Sequence, residues 1–178
     1  MNKKLLWITR TAIFLALLVI VQFVTKGLSP FVTGSLVNLL LIITGLTVGL
    51  TSGLSLAVIS PVLAGLLGVQ VFPTPFMIPV IVVSNMIIVF ITWYFTQYSI
   101  KNEVKQKKLL QVFGTVLGAL VKFAFLWVFT SLVLGPIFKL PTLILFFFSW
   151  PQLVTALIGG AFALAIYPVL SKVLKSEV

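Results

Sequence analysis

Along this chain, apolar residues run in long blocks that charge scarcely interrupts. From Gly27 to Ile100 there is no charged residue at all. A bilayer-spanning helix needs ~20 mostly apolar residues, so that block alone holds three spans and their connections. The whole pattern predicts six spans. The first covers about Leu6–Thr25, and the second and third share Phe31–Gly68, broken near "TGLTVGLTSG". The fourth covers about Phe76–Gln97, the fifth about Leu109–Leu134 and the sixth about Ser149–Leu170. The expected fold is an all-α membrane protein, a six-transmembrane-helix bundle forming a single domain over residues 1–178. No polar stretch is long enough for a separate soluble domain.

Composition agrees with that pattern. Hydrophobic residues make up 61% of the chain and charged residues 8%, against roughly 45–50% and about 25% in soluble domains. The opening "MNKKLLWITRTAIFLALLVIVQF" has the basic start of a signal peptide. Its apolar stretch is long, however, and no small-x-small cleavage site follows, so it is read as a retained first helix.

Charge adds an orientation. With six spans, both termini share a side with the loop between spans four and five. That side collects Lys3, Lys4, Arg10, Lys101, Lys105, Lys107, Lys108, Lys172 and Lys175, against Lys26 and Lys139 on the other. Basic residues concentrate on the cytoplasmic side of membrane proteins, so both termini are expected to be cytoplasmic. The net charge of +10 is then a property of a membrane surface beside anionic lipid, with no nucleic-acid partner implied.

The connections on the opposite side, "KGLSPFVTGS", "GVQVFPTPFMIP" and "LGPIFKLPT", are rich in Pro, Gly and aromatics and nearly uncharged. Two readings stand for them, a lid folded over the outer mouth or aromatic anchors in the membrane interface. Thr74 with Pro75, and Ser149 with Pro151, have the residue types of helix N-caps and first-turn prolines. Both would start helices at the outer face, with amino ends suited to anionic groups.

Close association of helices in lipid relies on small residues. Helix one carries Ala12 and Ala16, Gly45, Gly49 and Gly53 repeat at spacing four around the second-to-third turn, and Gly114 and Gly118 do so on helix five. Gly159, Gly160 and Ala163 thin helix six. For most of these, internal packing is the expected use. Ala12 and Ala16 lie on a helix at the start of the chain and suit an outer face that meets another membrane subunit.

The chemistry available is narrow. There is no cysteine and no histidine, and the only acids are Glu103 and Glu177. General acid–base catalysis, thiolate chemistry and metal sites have almost no residues to use, so no catalytic residue, metal or cofactor is expected. Nothing resembles the charged ring or carbonyl filter of a channel.

One cation is out of place. "ALVKFAFLW" puts Lys122 inside the fifth span, on the face of Gly114 and Gly118. It stands about a dozen residues from either end, or ~18 Å of helix rise, and a lysine side chain reaches only ~6 Å. An uncompensated lysine there costs at least ~3 kcal/mol. It is neutral, or hydrated in a cavity, or it meets an anionic ligand; the absence of any acid at that depth favours the ligand. Asn38, Asn85 and Gln152, with Thr92, Thr96 and Thr155 on related faces and Trp127, Trp150 and Phe76 nearby, would complete a mostly apolar small-molecule pocket.

The whole chain resembles the substrate-binding S components of energy-coupling factor (ECF) vitamin transporters. The length, the six spans and the A-x-x-x-A of "TAIFLALLV" carry that resemblance. "FVTGSLVNLLLIITGLTVGLTSGLSLAVISPVLAGLLG" followed by "VSNMIIVF" is similar to the branch that includes pantothenate carriers. The resemblance implies high-affinity binding of a vitamin near the outer face. It further implies docking on a membrane scaffold subunit (EcfT) with two ATPases, and toppling in the bilayer to deliver the vitamin inward. It places Ala12 and Ala16 against the scaffold with Gly45, Gly49 and Gly53 nearby, in the cell membrane of a Gram-positive bacterium. The sequence has no P-loop, so ATP hydrolysis falls to partners. Lys122 would suit the pantothenate carboxylate, with Asn85, Asn38 and Gln152 for its hydroxyl and amide groups. Pyridoxine, hydroxymethylpyrimidine or another anionic vitamin stay open as substrates, and a purely structural membrane subunit stays open as a rival.

Overall fold

A computed structural model describes residues 3–70 and 72–175 of the chain. The elements are α1 (Lys3–Val24), α2 (Pro30–Thr47), α3 (Leu50–Leu66), α4 (Met77–Lys101) and α5 (Lys107–Trp127). The last of these runs without a break into a π-helical segment, Val128–Leu134, and the short α6 (Gly135–Phe138). Then come α7 (Thr142–Phe147) and α8 (Trp150–Lys175). No strand occurs among the described residues.

The expected spans correspond to α1, α2, α3, α4, α5 and α8. Five helical stretches are long and apolar enough to cross a bilayer, and the apolar α3 is shorter at 17 residues. A helix of that length rises about 26 Å, a little under the ~30 Å hydrocarbon core. The fourth of these stretches, which begins with α5, is longer than expected, extending through the π segment to Phe138. Pro136 offers no N–H to the carbonyl of Leu132, and the helix widens over the residues just before it.

The break between α2 and α3 falls inside the predicted string. Gly49 has φ of 134° and ψ of 162°, a conformation closed to side chains with a Cβ, so two residues suffice to reverse the chain. Backbones then touch: a Cβ built on Gly53 would lie 2.7 Å from the Cα of Gly45, and 2.8 Å from Cγ1 of Val89 on α4. This corrects one expectation. Gly45 and Gly53 are buried between α2, α3 and α4, where no partner subunit can reach them. Of that trio only Gly49, at the turn, has open space around it.

The other glycines serve the same purpose. Gly114 on α5 receives the ring of Phe95 from α4, and Gly160 on α8 receives Thr115 from α5. Gly159 is the tightest against backbone: a Cβ there would stand 2.5 Å from the carbonyl oxygen of Ser35, 2.7 Å from Cβ of Asn38 and 2.8 Å from the amide nitrogen of Leu39. Helices in lipid are held by packing rather than by exclusion of water. Gly159→Ala must therefore separate α8 from α2, and it is expected to destabilise the protein by about 1–3 kcal/mol. Thermal unfolding in detergent checks this, as a melting temperature several degrees below that of the native protein.

The two ends of the bundle differ. Arg10 donates to the carbonyl of Leu174 at 2.9 Å, joining the start of α1 to the end of α8. A cavity lined by Arg10, Thr47, Gln97 and Ser171 shows that α2 and α4 also end there. Lys3, Lys4, Lys101, Lys107, Lys108 and Lys172 occupy terminal turns at this same end. Glu103 lies there too, in the loop between α4 and α5, and Glu177 lies outside the described residues.

Helix starts follow capping chemistry only in part. Ser29 caps α2, its Oγ accepting from the amide of Phe31 at 3.3 Å with Pro30 as the first helical residue. Thr74 does not cap α4 as expected; the helix begins at Met77 and the Thr74 hydroxyl is buried without a partner. Ser149 precedes α8, but its hydroxyl donates back to the carbonyl of Phe146 at 2.7 Å.

Candidate functional site

Away from the basic end, the bundle holds a cavity of about 290 Å³. The final turns of α1, the start of α2, the second half of α3, the first half of α4, the later part of α5, α7 and the start of α8 form its walls. Liquid water takes about 30 Å³ per molecule, so this is room for roughly ten waters, the scale of a small metabolite.

Three helices bring their polar residues together in it. Lys122 on α5 is 2% exposed, and Asn38 on α2 and Asn85 on α4 are buried beside it. The lysine Nζ donates to Oδ1 of Asn38 at 2.7 Å and to Oδ1 of Asn85 at 2.8 Å. The Asn38 amide cannot turn freely, because its Nδ2 donates to the carbonyl of Gly34 at 2.8 Å, one helical turn earlier. Its oxygen therefore stays aimed at the lysine. An ammonium group carries three donors. Two are engaged by the amides, and the residue lines the cavity.

The electrostatics of this cluster are one-sided. Amide oxygens stabilise an ammonium with their dipoles and leave its charge in place. No Asp or Glu is present in the cavity wall, and among the described residues no three His, Cys, Asp or Glu side chains gather to hold a metal. A buried cation is stable when paired, and the wall supplies no anion to pair it. The arrangement is a lysine amine deep in an apolar helix, held by two amide oxygens, one of them fixed by Gly34, at the wall of the cavity.

Gln152 also lines the cavity; its amide lies 3.5 Å from the carbonyl of Phe147, and Thr155, one turn on, lines it as well. Thus Lys122, Asn38, Asn85 and Gln152 are brought together. Trp127 and Phe76 are not: they are 44% and 58% exposed and stand outside the cavity wall. Phe76 stacks on Phe138 with ring centroids 5.4 Å apart, an exposed pair at the same end as the cavity. Thr92 and Thr96 share the Asn85 side of α4 but stand outside the cavity wall, buried and without hydrogen-bond partners, Thr92 beside Gly118 of α5.

The proline-rich connections divide between the two readings given to them. Gly27, Leu28, Val69 and Gln70 from the first two form part of the cavity wall, as a cover would. The third contributes Phe138 to the exposed aromatic pair, and the wall is instead closed by Phe147 and Phe148 just after it.

Sequence reasoning passed over Gln22 and Ser60. Gln22 is 1% exposed, and its Nε2 donates to the Ser60 carbonyl at 3.1 Å and hydroxyl at 3.0 Å, tying α1 to α3 at the cavity wall. Its place two residues before the end of α1 gave no signal in the chain, since an amide at a span end can reach water. On the other side of α1, Ala12 and Ala16 are exposed.

Comparison with known proteins agrees with this architecture. No curated protein and no solved structure matches the chain. The family described as the substrate-specific component of the ECF transporter matches residues 6–171, nearly the full length and all the helices that build the cavity. A bundle of long apolar helices around a ligand-sized cavity, read together with that match, makes this chain a member of the ECF transporter substrate-specific component family.

Proposed function

We propose that the cavity binds a small carboxylate vitamin, pantothenate before others, and that Lys122 holds the carboxylate. The observation that carries this reading is the ammonium of Lys122, braced by the oxygens of Asn38 and Asn85 beside a cavity whose wall contains no acid. Hydrogen bonds to charged groups contribute about 1.5–3 kcal/mol each, so an anion there gains what the protein does not supply. Asn85, Gln152 and Thr155 suit the hydroxyl and amide groups of pantothenate.

The basic end of the bundle is assigned to the cytoplasm by the positive-inside bias, and the cavity then opens outward. The exposed Ala12–Ala16 face of α1 is assigned to the scaffold subunit of the ECF module, which two ATPases drive, with toppling in the cell membrane as the delivery step. Small residues exposed on an outer helix support that assignment.

Titration calorimetry of the purified protein tests the substrate. Pantothenate is expected to bind stoichiometrically, with pyridoxine and hydroxymethylpyrimidine, which lack a carboxylate, bound far more weakly. Tight binding of either in place of pantothenate would overturn the carboxylate reading.

A further inference from the structure

Gln22 is a cavity residue whose amide oxygen the fold buries without a partner. Its Nε2 makes two hydrogen bonds to Ser60, while its Oε1 is enclosed and meets no donor. The two bonds fix which end of the amide is which: exchanging oxygen and nitrogen would set an acceptor against the Ser60 carbonyl. The oxygen is therefore an acceptor with a determined place, buried in the wall that α1 and α3 contribute. That wall is built from different helices than the Lys122 cluster, which rests on α2, α4 and α5.

A buried acceptor without a donor is costly, and a protein that keeps one at a ligand cavity gains when the ligand supplies the donor. Nearby polar side chains do not fill the role. The Thr25 hydroxyl donates to the carbonyl of Val21 at 2.7 Å, and the Thr33 hydroxyl to that of Thr25 at 3.3 Å. We propose that Gln22 is a specificity-determining residue that accepts a hydrogen bond from an O–H or N–H of the ligand. Resting on the carboxylate site above, this narrows the substrate class. The ligand carries its anion for Lys122 and, at a distance along its skeleton, a neutral donor for Gln22. Plain aliphatic carboxylates of the same size are thereby rejected, because a site built to bond a polar group is left with that group unpaired.

The test compares three ligands by calorimetry: pantothenate, its analogue lacking both hydroxyls, and its analogue with the amide nitrogen methylated. The native protein is expected to bind one of the two analogues about 10- to 100-fold more weakly than pantothenate. Gln22→Leu should weaken pantothenate by a similar factor and leave that analogue unchanged, so the ratio falls toward one. Ser60→Ala keeps Oε1 and should keep the ratio. A variant that weakens all ligands equally would mean that Gln22 only pins α1 to α3, and the proposal is overturned. Should Gln22→Leu fail to fold, the native protein decides: equal affinity for all three ligands leaves Gln22 nothing to read. Pantothenate binding that Lys122→Met abolishes but Gln22→Leu spares removes this inference alone. No binding of any of the three by the native protein removes the proposed substrate and the donor argument with it.

Discussion

Lys122→Met is expected to weaken pantothenate binding about 100-fold or more while the protein still elutes as a monodisperse peak. The variant removes the one cation in the cavity wall and leaves the ligand carboxylate buried without a counter-charge, a situation that costs about 3–5 kcal/mol. Stability changes less, because two effects oppose each other. The oxygens of Asn38 and Asn85 lose their donor, at about 1–3 kcal/mol each, but the burial of an ammonium at membrane depth is also relieved. Methionine keeps the length and flexibility of the stem. Calorimetry alongside size-exclusion chromatography separates the two effects, and native-like affinity in the variant would detach the carboxylate from Lys122.

The second large effect is expected on transport with binding untouched. Ala12→Leu combined with Ala16→Leu is expected to cut uptake into proteoliposomes at least ten-fold, with the dissociation constant for the vitamin changed less than two-fold. Both alanines are exposed on α1, beside Ile13, Leu17 and Ile20, and touch no part of the cavity. Exposed substitutions away from packed contacts stay within about 0.5 kcal/mol of native stability. Two extra isobutyl groups would, however, hold a partner helix away from the backbone, where small residues allow close approach. Co-purification with the scaffold and ATPase subunits reads the same effect directly. Full uptake by the double variant would place the docking face elsewhere.

The parts legible in sequence were those whose physics is local or extreme. A lysine inside an apolar block announces itself, and so do Asn38 and Asn85, since each is a strong polar group within a span. That these three meet on one ammonium was not legible, because it depends on how α2, α4 and α5 rotate against one another. Glycine spacing at four showed that close contacts exist around residues 45–53 and could not say with what. The reversal at Gly49 turns that face inward, against Val89, and away from any partner. Aromatic residues misled for a related reason. Trp127 and Phe76 have the right composition for a pocket, but lipid accepts aromatic side chains as readily as a binding site does, and both point outward. Gln22 was hidden by position, because a polar residue near a span end passes as an interfacial one until α3 is seen to close over it. The π-helical turn has no periodic signature, and the sequence reading did not anticipate it.

The missing carboxylate around Lys122 has an electrical consequence. As an ammonium, the side chain gives the empty cavity a charge of +1, and a bound carboxylate brings the sum to zero. A charge carried through the full membrane field gains or loses about 2.3 kcal/mol per 100 mV, and a neutral pair gains or loses none. If the bundle reorients to deliver its ligand, the loaded protein moves without sensing the inside-negative potential. The empty protein is drawn inward by that potential and must be returned against it. Voltage would then act on the reset of the cycle, and a neutral ligand, leaving the charge exposed in both directions, would lose that separation.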